Sequence, residues 1–166
     1  MTGGLALAGR VALIAGANGP FGRAIAVALA EAGAEVALTT STTAEAEQFA
    51  INSIGNELWA IDRRYLALVT DLADPASVDG ALRQAAGGLG GLDVIVMAAS
   101  QPSTLLDRLH DARSAPSALV ILDAPGATPP PGATLVTVDS SASPASVAAG
   151  VLDAVRAATR AAGSPP

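Results

Sequence analysis

Gly16, Gly19 and Gly22 recur every third residue directly after an apolar run and just before a helical one. A turn at that place brings backbone amides against a phosphate only where no Cβ intervenes, and the start of the following helix adds a partial positive charge. The chemistry this spacing permits is recognition of a phosphorylated ligand. Asp71, in Thr70-Asp71-Leu72-Ala73-Asp74, is a second polar group at the end of an apolar run. Thr39, Thr40 and Ser41 form a third set, all neutral hydroxyls.

Side chains able to make bonds or move protons are few. The absence of Cys excludes thiolate catalysis, disulfides and Cys-ligated metal. The 9 basic residues are all Arg, so there is no Lys, and the chain has one Tyr, Tyr65, and one His, His110. His110 lies in Asp107-Arg108-Leu109-His110-Asp111, where a histidine among charges reads as a solvated surface residue. Ser100, Asp123 and Asp139 fall at or near the ends of apolar runs but form no triad, and no ligand spacing fits a metal. The expected catalytic set is none, and the expected metal set is none.

Alternating strands and helices must hold these groups. Val11-Ala12-Leu13-Ile14-Ala15 reads as a strand buried on both faces, and residues 21–32 as a helix with Ile25 and Leu29 inward, closed by Gly33. Glu35-Val36-Ala37-Leu38-Thr39 is a second strand, followed by a helix capped by Thr42 or Thr43 and carrying Glu45, Glu47, Phe49 and Ile54. Residues 65–70 make a third strand, and Asp74-Pro75 opens a helix whose inner face is Val78, Leu82 and Ala85. The glycine-rich stretch 87–91 is predicted as a turn outside any regular element. Residues 92–99, 118–122 and 134–138 supply three further strands, with a proline-rich excursion at 128–132. Ser143-Pro144 opens a final helix with Val147, Val151, Val155 and Ala158, and residues 163–166 should fray. The pattern predicts an α/β fold: a doubly wound, parallel, Rossmann-type sheet of about six strands in three α/β/α layers, as a single domain over residues 1–162.

Composition narrows the partners. A chain of 166 residues has room for one core, and 51% hydrophobic against 2% aromatic residues means a core of Ala, Val, Leu and Ile. A net charge of -6 without a basic cluster argues against nucleic acid and anionic membrane. Residues 1–10 do not resemble a secretory signal, and residues 11–17 are too soon broken by Asn18, Gly19 and Pro20 to span a bilayer. A cytoplasmic, unprocessed protein is expected.

Residues 7 to about 100 resemble the short-chain dehydrogenase/reductase family, whose first turn reads Thr-Gly-x-x-x-Gly-x-Gly. Here it reads Ala15-Gly16-Ala17-Asn18-Gly19-Pro20-Phe21-Gly22, with Ala15 for the threonine and Pro20, which has no amide proton, for the middle glycine. The segment Thr70-Asp71-Leu72-Ala73-Asp74 resembles the stretch in which the family's aspartate meets adenine, and Leu92 to Ser100 the strand ending Asn-Asn-Ala-Gly, of which only Ala99 is kept. The resemblance implies a weakened site for NADP or NAD. Gly16, Asn18, Gly19, Phe21 and Gly22 would sit at the pyrophosphate, Thr40 and Ser41 at the adenosine ribose, Asp71 and the Leu72 amide at adenine, and main chain at Ala98, Ala99 and Ser100 at the other ribose. The neutral end of the second strand leans towards NADP, and Arg23 is placed on an exposed helix face. A tight turn that binds nothing is the alternative.

The same family reduces carbonyls with a tyrosine acid, a lysine on the same helix and a serine. This chain has no lysine, Tyr65 begins a strand, and the tyrosine-bearing helix expected after the fifth strand is missing, along with the surface that commonly builds a tetramer. The reading is a family-like dinucleotide-binding protein that is not a competent dehydrogenase by itself. Two alternatives stay open: a non-catalytic subunit in a homo-oligomer or in a hetero-oligomer with a full-length relative, and an atypical NAD(P)-dependent oxidoreductase.

Overall fold

The first strand is apolar on both faces, so it must be covered twice, and the rest of the fold follows from that. A computed structural model describes residues 5–98, 103–111, 118–122, 134–138 and 141–163. Its elements are β1 (Val11–Ala15), α1 (Gly22–Glu31), β2 (Glu35–Thr40), α2 (Glu45–Ala60), β3 (Tyr65–Val69), α3 (Pro75–Leu89), β4 (Val94–Met97), α4 (Ser103–Asp111), β5 (Ala118–Leu122), β6 (Thr134–Val138) and α5 (Pro144–Gly163). The strands form one sheet in the order β3-β2-β1-β4-β5-β6, and every neighbouring pair is parallel.

Side chains alternate across a strand, and here they divide the core in two. Ala12 and Ile14 of β1 with Val94 and Val96 of β4 pack under α1, α2 and α5. Val11, Leu13 and Ala15 with Ile95 and Met97 pack under α3 and α4. The chain winds from β1 outward to β3, then crosses back to place β4 on the other side of β1. That reversal opens a crevice at the C-terminal ends of β1 and β4.

Most elements fall where the sequence places them, and the differences have physical causes. Glycines 87 and 88 belong to α3, which runs to Leu89 and ends on Gly90 in the left-handed region at φ 89°. Glycine weakens a helix interior by about 1 kcal/mol, but Leu89 is buried in the second core, and a Cβ on Gly88 would press on the Leu66 side chain at 3.2 Å. Packing therefore carries the helix through the glycines. The predicted threonine cap of α2 is also corrected. Thr42 Oγ1 accepts from the Ala44 amide, outside the helix, and the cap position is Ala44 with no side-chain bond. The sequence pattern does not mark helix α4. Leu105 and Leu109, four apart and buried, hold one face, and Arg108 donates to both carboxylate oxygens of Asp79 on α3 at 2.8 and 2.7 Å. Asp74 caps α3 through the amides of Ala76 and Ser77, with Pro75 in the first turn as expected. No helix among the described residues is long and apolar enough to cross a membrane.

Two glycines test this packing. A Cβ on Gly22 would lie on the Ala17 carbonyl, whereas one on Gly80, inside α3, meets nothing. In urea unfolding, Gly22→Ala should cost about 1–3 kcal/mol or more, and Gly80→Ala should gain about 0.4–1 kcal/mol. The α3–α4 clip tests the electrostatics. Hydrogen bonds from Arg108 hold the Asp79 carboxyl below the usual carboxylate range against the opposing effect of burial, and the charges of Arg108 and Arg83 add to the lowering. A lowered folded pKa means stability that is present above the unfolded value and lost as pH falls through the folded one. Asp79→Asn should lower the melting temperature at neutral pH, and its difference from the parent should close on acidification below the carboxylate range.

Candidate functional site

The turn after β1 is shaped mainly by β2. Gly16 takes φ 77°, and its amide donates to Thr39 Oγ1 at 3.2 Å, while the Ala17 amide donates to the Thr39 carbonyl at 2.9 Å. The Thr39 hydroxyl in turn donates to the Ile14 carbonyl. Further along, the Gly19 amide donates to the Gly16 carbonyl and the Gly22 amide to the Gly19 carbonyl. These bonds engage the amides of Gly16, Ala17, Gly19 and Gly22. The amides of Asn18 and Phe21 have no partner among the described residues. Helix α1 starts without a side-chain cap and without an acidic residue in its first turn. Its open amides and dipole therefore face the turn ready for an anion.

Beside the turn lies a cleft of about 310 Å³ at the C-terminal end of the sheet. Gly16, Asn18, Gly19, Thr40, Ser41, Leu72 and Ala98 all line it, together with Thr39 and Thr70. Phe21 and Gly22 are not part of its lining but form the start of α1, and Ala99 lies outside the described residues. Thr70 is 2% exposed, and its Oγ1 has no hydrogen-bond partner among the described residues. A buried hydroxyl without a partner costs about 1–3 kcal/mol, so a polar ligand atom arriving there would have a group waiting for it. Sequence reasoning gave Thr70 no role. It follows β3 directly, with its amide donating to the Thr40 carbonyl, but the isolation of its hydroxyl is set by tertiary surroundings that the sequence does not show.

Asp71 is placed differently from expectation. It is exposed outside the lining, with Oδ1 accepting from the Ala73 amide at 2.9 Å and its own amide donating to Ser77 Oγ. Arg23 is exposed, as expected, and donates to both oxygens of Glu57 at 2.6 and 3.0 Å, which raises its pKa through that hydrogen bond and charge. No basic side chain lines the cleft among the described residues. Tyr65 starts β3, at the end of the strand remote from Thr70, with its ring against Gly55. Two larger hollows, about 490 and 390 Å³, lie at that opposite end of the sheet. The His110 side chain, Ser100, Asp123 and Asp139 lie outside the described residues. Among those described, no group of three His, Cys, Asp or Glu side chains could hold a metal.

Residues 10–115 match the family model of short chain dehydrogenase. An uncharacterized oxidoreductase of Mycobacterium tuberculosis is 34% identical over 99 residues, covering 58% of this chain and 36% of its own length. A short chain dehydrogenase from Burkholderia cenocepacia, solved in complex with NADP, is 28% identical with a TM-score of 0.56 over 70% of this chain and 56% of its own. One from Mycobacterium paratuberculosis, solved bound to NAD, has a TM-score of 0.58 at 22% identity over the same shares, a likeness of fold. The chain thus spans little more than a third of the oxidoreductase and just over half of the solved dehydrogenases.

Thr70→Val should separate a group kept for binding from one kept for folding. Replacing the orphaned hydroxyl by a methyl removes a desolvated polar atom, so the unliganded protein should become more stable by about 1 kcal/mol in chemical unfolding. A loss of stability would mean that the hydroxyl has a structural partner.

Proposed function

The chain belongs to the short chain dehydrogenase family, and from that premise we propose that its cleft binds a nicotinamide dinucleotide, NAD or NADP. The observation that carries this is the coincidence, at one sheet end, of three features that fit such a group. They are a turn too tight for a side chain at Gly22, an uncapped helix start with open amides, and the buried Thr70 hydroxyl, which has no partner among the described residues. Asn18 and Phe21 offer amides to the pyrophosphate, with Gly16, Gly19 and Gly22 keeping the approach clear. Thr40 and Ser41 meet the adenosine ribose. The Leu72 amide and the free oxygen of Asp71 meet adenine, and main chain at Ala98 and Ala99 meets the second ribose. The missing amide at Pro20 weakens the hold on phosphate. A bound nicotinamide would supply or accept the hydride of an oxidoreduction. This chain's own residues bind and orient, because the family's tyrosine and lysine have no counterpart near the cleft. By itself the domain binds cofactor without turnover, and the cytoplasm, which holds these dinucleotides, is its proposed location.

A second reading gives it a partner, in a homo-oligomer or paired with a full-length relative. Of the four aromatic residues, Phe49 and Trp59 are 77% and 78% exposed on α2, an outlay of apolar surface that an interface would cover.

Melting curves with NAD, NADH, NADP and NADPH, and light scattering on the same sample, test both readings. Ligand at about 100 times its Kd should add about 2.7 kcal/mol of stability, with no oxidation of NADH or NADPH above blank when carbonyl substrates are added. An unshifted curve with all four would refute the binding reading. Turnover would establish the atypical oxidoreductase instead, and a clean monomer would remove the partner reading.

A further inference from the structure

We propose that Glu47, in the first turn of α2, decides which dinucleotide the cleft accepts: it selects the one whose adenosine ribose carries free 2′ and 3′ hydroxyls over the one carrying a 2′-phosphate. The inference rests on the dinucleotide reading of the cleft. The end of β2 that lines the cleft is neutral, but it is not without charge nearby. Ser41 Oγ donates to Glu47 Oε1 at 3.4 Å, and the Thr42 amide donates to Oε2 at 3.1 Å. Two donors on the β2–α2 connection therefore hold the carboxylate beside Ser41, a residue of the cleft wall. The N-terminal dipole of α2 favours a negative group there, and Glu45 in the same turn adds a second. Thr40 Oγ1 is engaged with the Thr42 carbonyl at 3.1 Å, so this hydroxyl already has an acceptor within the protein.

Each carboxylate oxygen accepts more than one hydrogen bond, so ribose hydroxyls can join Ser41 and Thr42 as donors to Glu47. A phosphate offers no such donors when ionised and brings like charge to the same place. The usual remedy is a cation. No basic side chain lines the cleft among the described residues, and Arg23 is paired with Glu57. The carboxylate missing from the end of β2 is thus returned from α2, seven residues after Thr40, by a route that strand-end reading does not follow. It reverses the leaning towards NADP that the neutral hydroxyls alone imply.

Titration calorimetry of NAD and NADP against the parent, Glu47→Gln and Glu45→Gln is the test. The parent should bind NAD tighter by roughly tenfold or more. Glu47→Gln keeps an acceptor for Ser41 and Thr42 but removes the charge, so the ratio should fall towards one, chiefly through tighter NADP, with the unliganded melting temperature little changed. Glu45→Gln should leave most of the preference in place, and added salt should narrow it in the parent. Equal binding, an NADP preference in the parent, or an unchanged ratio in Glu47→Gln would overturn the role of Glu47 while leaving the cleft standing. Binding of neither dinucleotide would overturn both. If Glu47→Gln does not fold, the parent's ratio and its salt dependence still decide, since a preference for NAD insensitive to salt contradicts a charge-based selection.

Discussion

Thr39 is the residue on which the candidate site depends. Its carbonyl receives the Ala17 amide, its hydroxyl receives the Gly16 amide, and the same hydroxyl donates to the Ile14 carbonyl. The end of β2 thereby fixes the path of the chain as it leaves β1. The close contact of Gly22 with the Ala17 carbonyl then sets where α1 begins. A parallel pair of strands registered from Val11 and Glu35 to Ile14 and Leu38 carries this constraint from the core to the rim. The cleft is a consequence of sheet order and of these few bonds, and it needs no side chain of unusual chemistry to exist.

The two ends of the sheet are specialised differently. At the N-terminal end, Asp93 accepts from the Val11 amide at 2.9 Å and from Arg10, anchoring β1 to β4 with charged groups. At the C-terminal end the cleft wall is made of glycine, alanine, leucine, an asparagine and hydroxyls, and formal charge stands back on Glu47 and Asp71, each tied to a local donor. Neutral walls let backbone amides and a helix dipole dominate the field in the cleft, whereas charges one residue behind tune it. This arrangement suits recognition of a large phosphorylated molecule better than proton transfer, which calls for a titratable group inside the wall.

The fold was legible because its signals are long-range patterns in apolar residues. Continuous runs mark strands covered on both faces, and Ile25 with Leu29, or Val147 through Ala158, mark helices packed on one. What escaped were features decided by tertiary contact. Nothing local shows that Leu89 would draw α3 across two glycines, or that Leu105 and Leu109 would find a core opposite Met97. At the site, the glycine positions and the hydroxyls of Thr40 and Ser41 could be read from the turn and strand ends, and Leu72 and Ala98 came from the family resemblance. Thr70 and Glu47 could not. The loneliness of a hydroxyl depends on everything around it, and the reach of Glu47 to Ser41 and Thr42 depends on how the β2–α2 connection turns.

The most direct test of the dinucleotide cleft is an amide-resolved NMR titration of the purified protein with NAD. Binding at this site should move the resonances of Gly16, Asn18, Gly19 and Phe21 together with those of Ser41, Leu72 and Ala98, and leave the hollow between Trp59 and Tyr65 untouched. Perturbations confined to that opposite hollow, or a spectrum unchanged at saturating ligand, would contradict it.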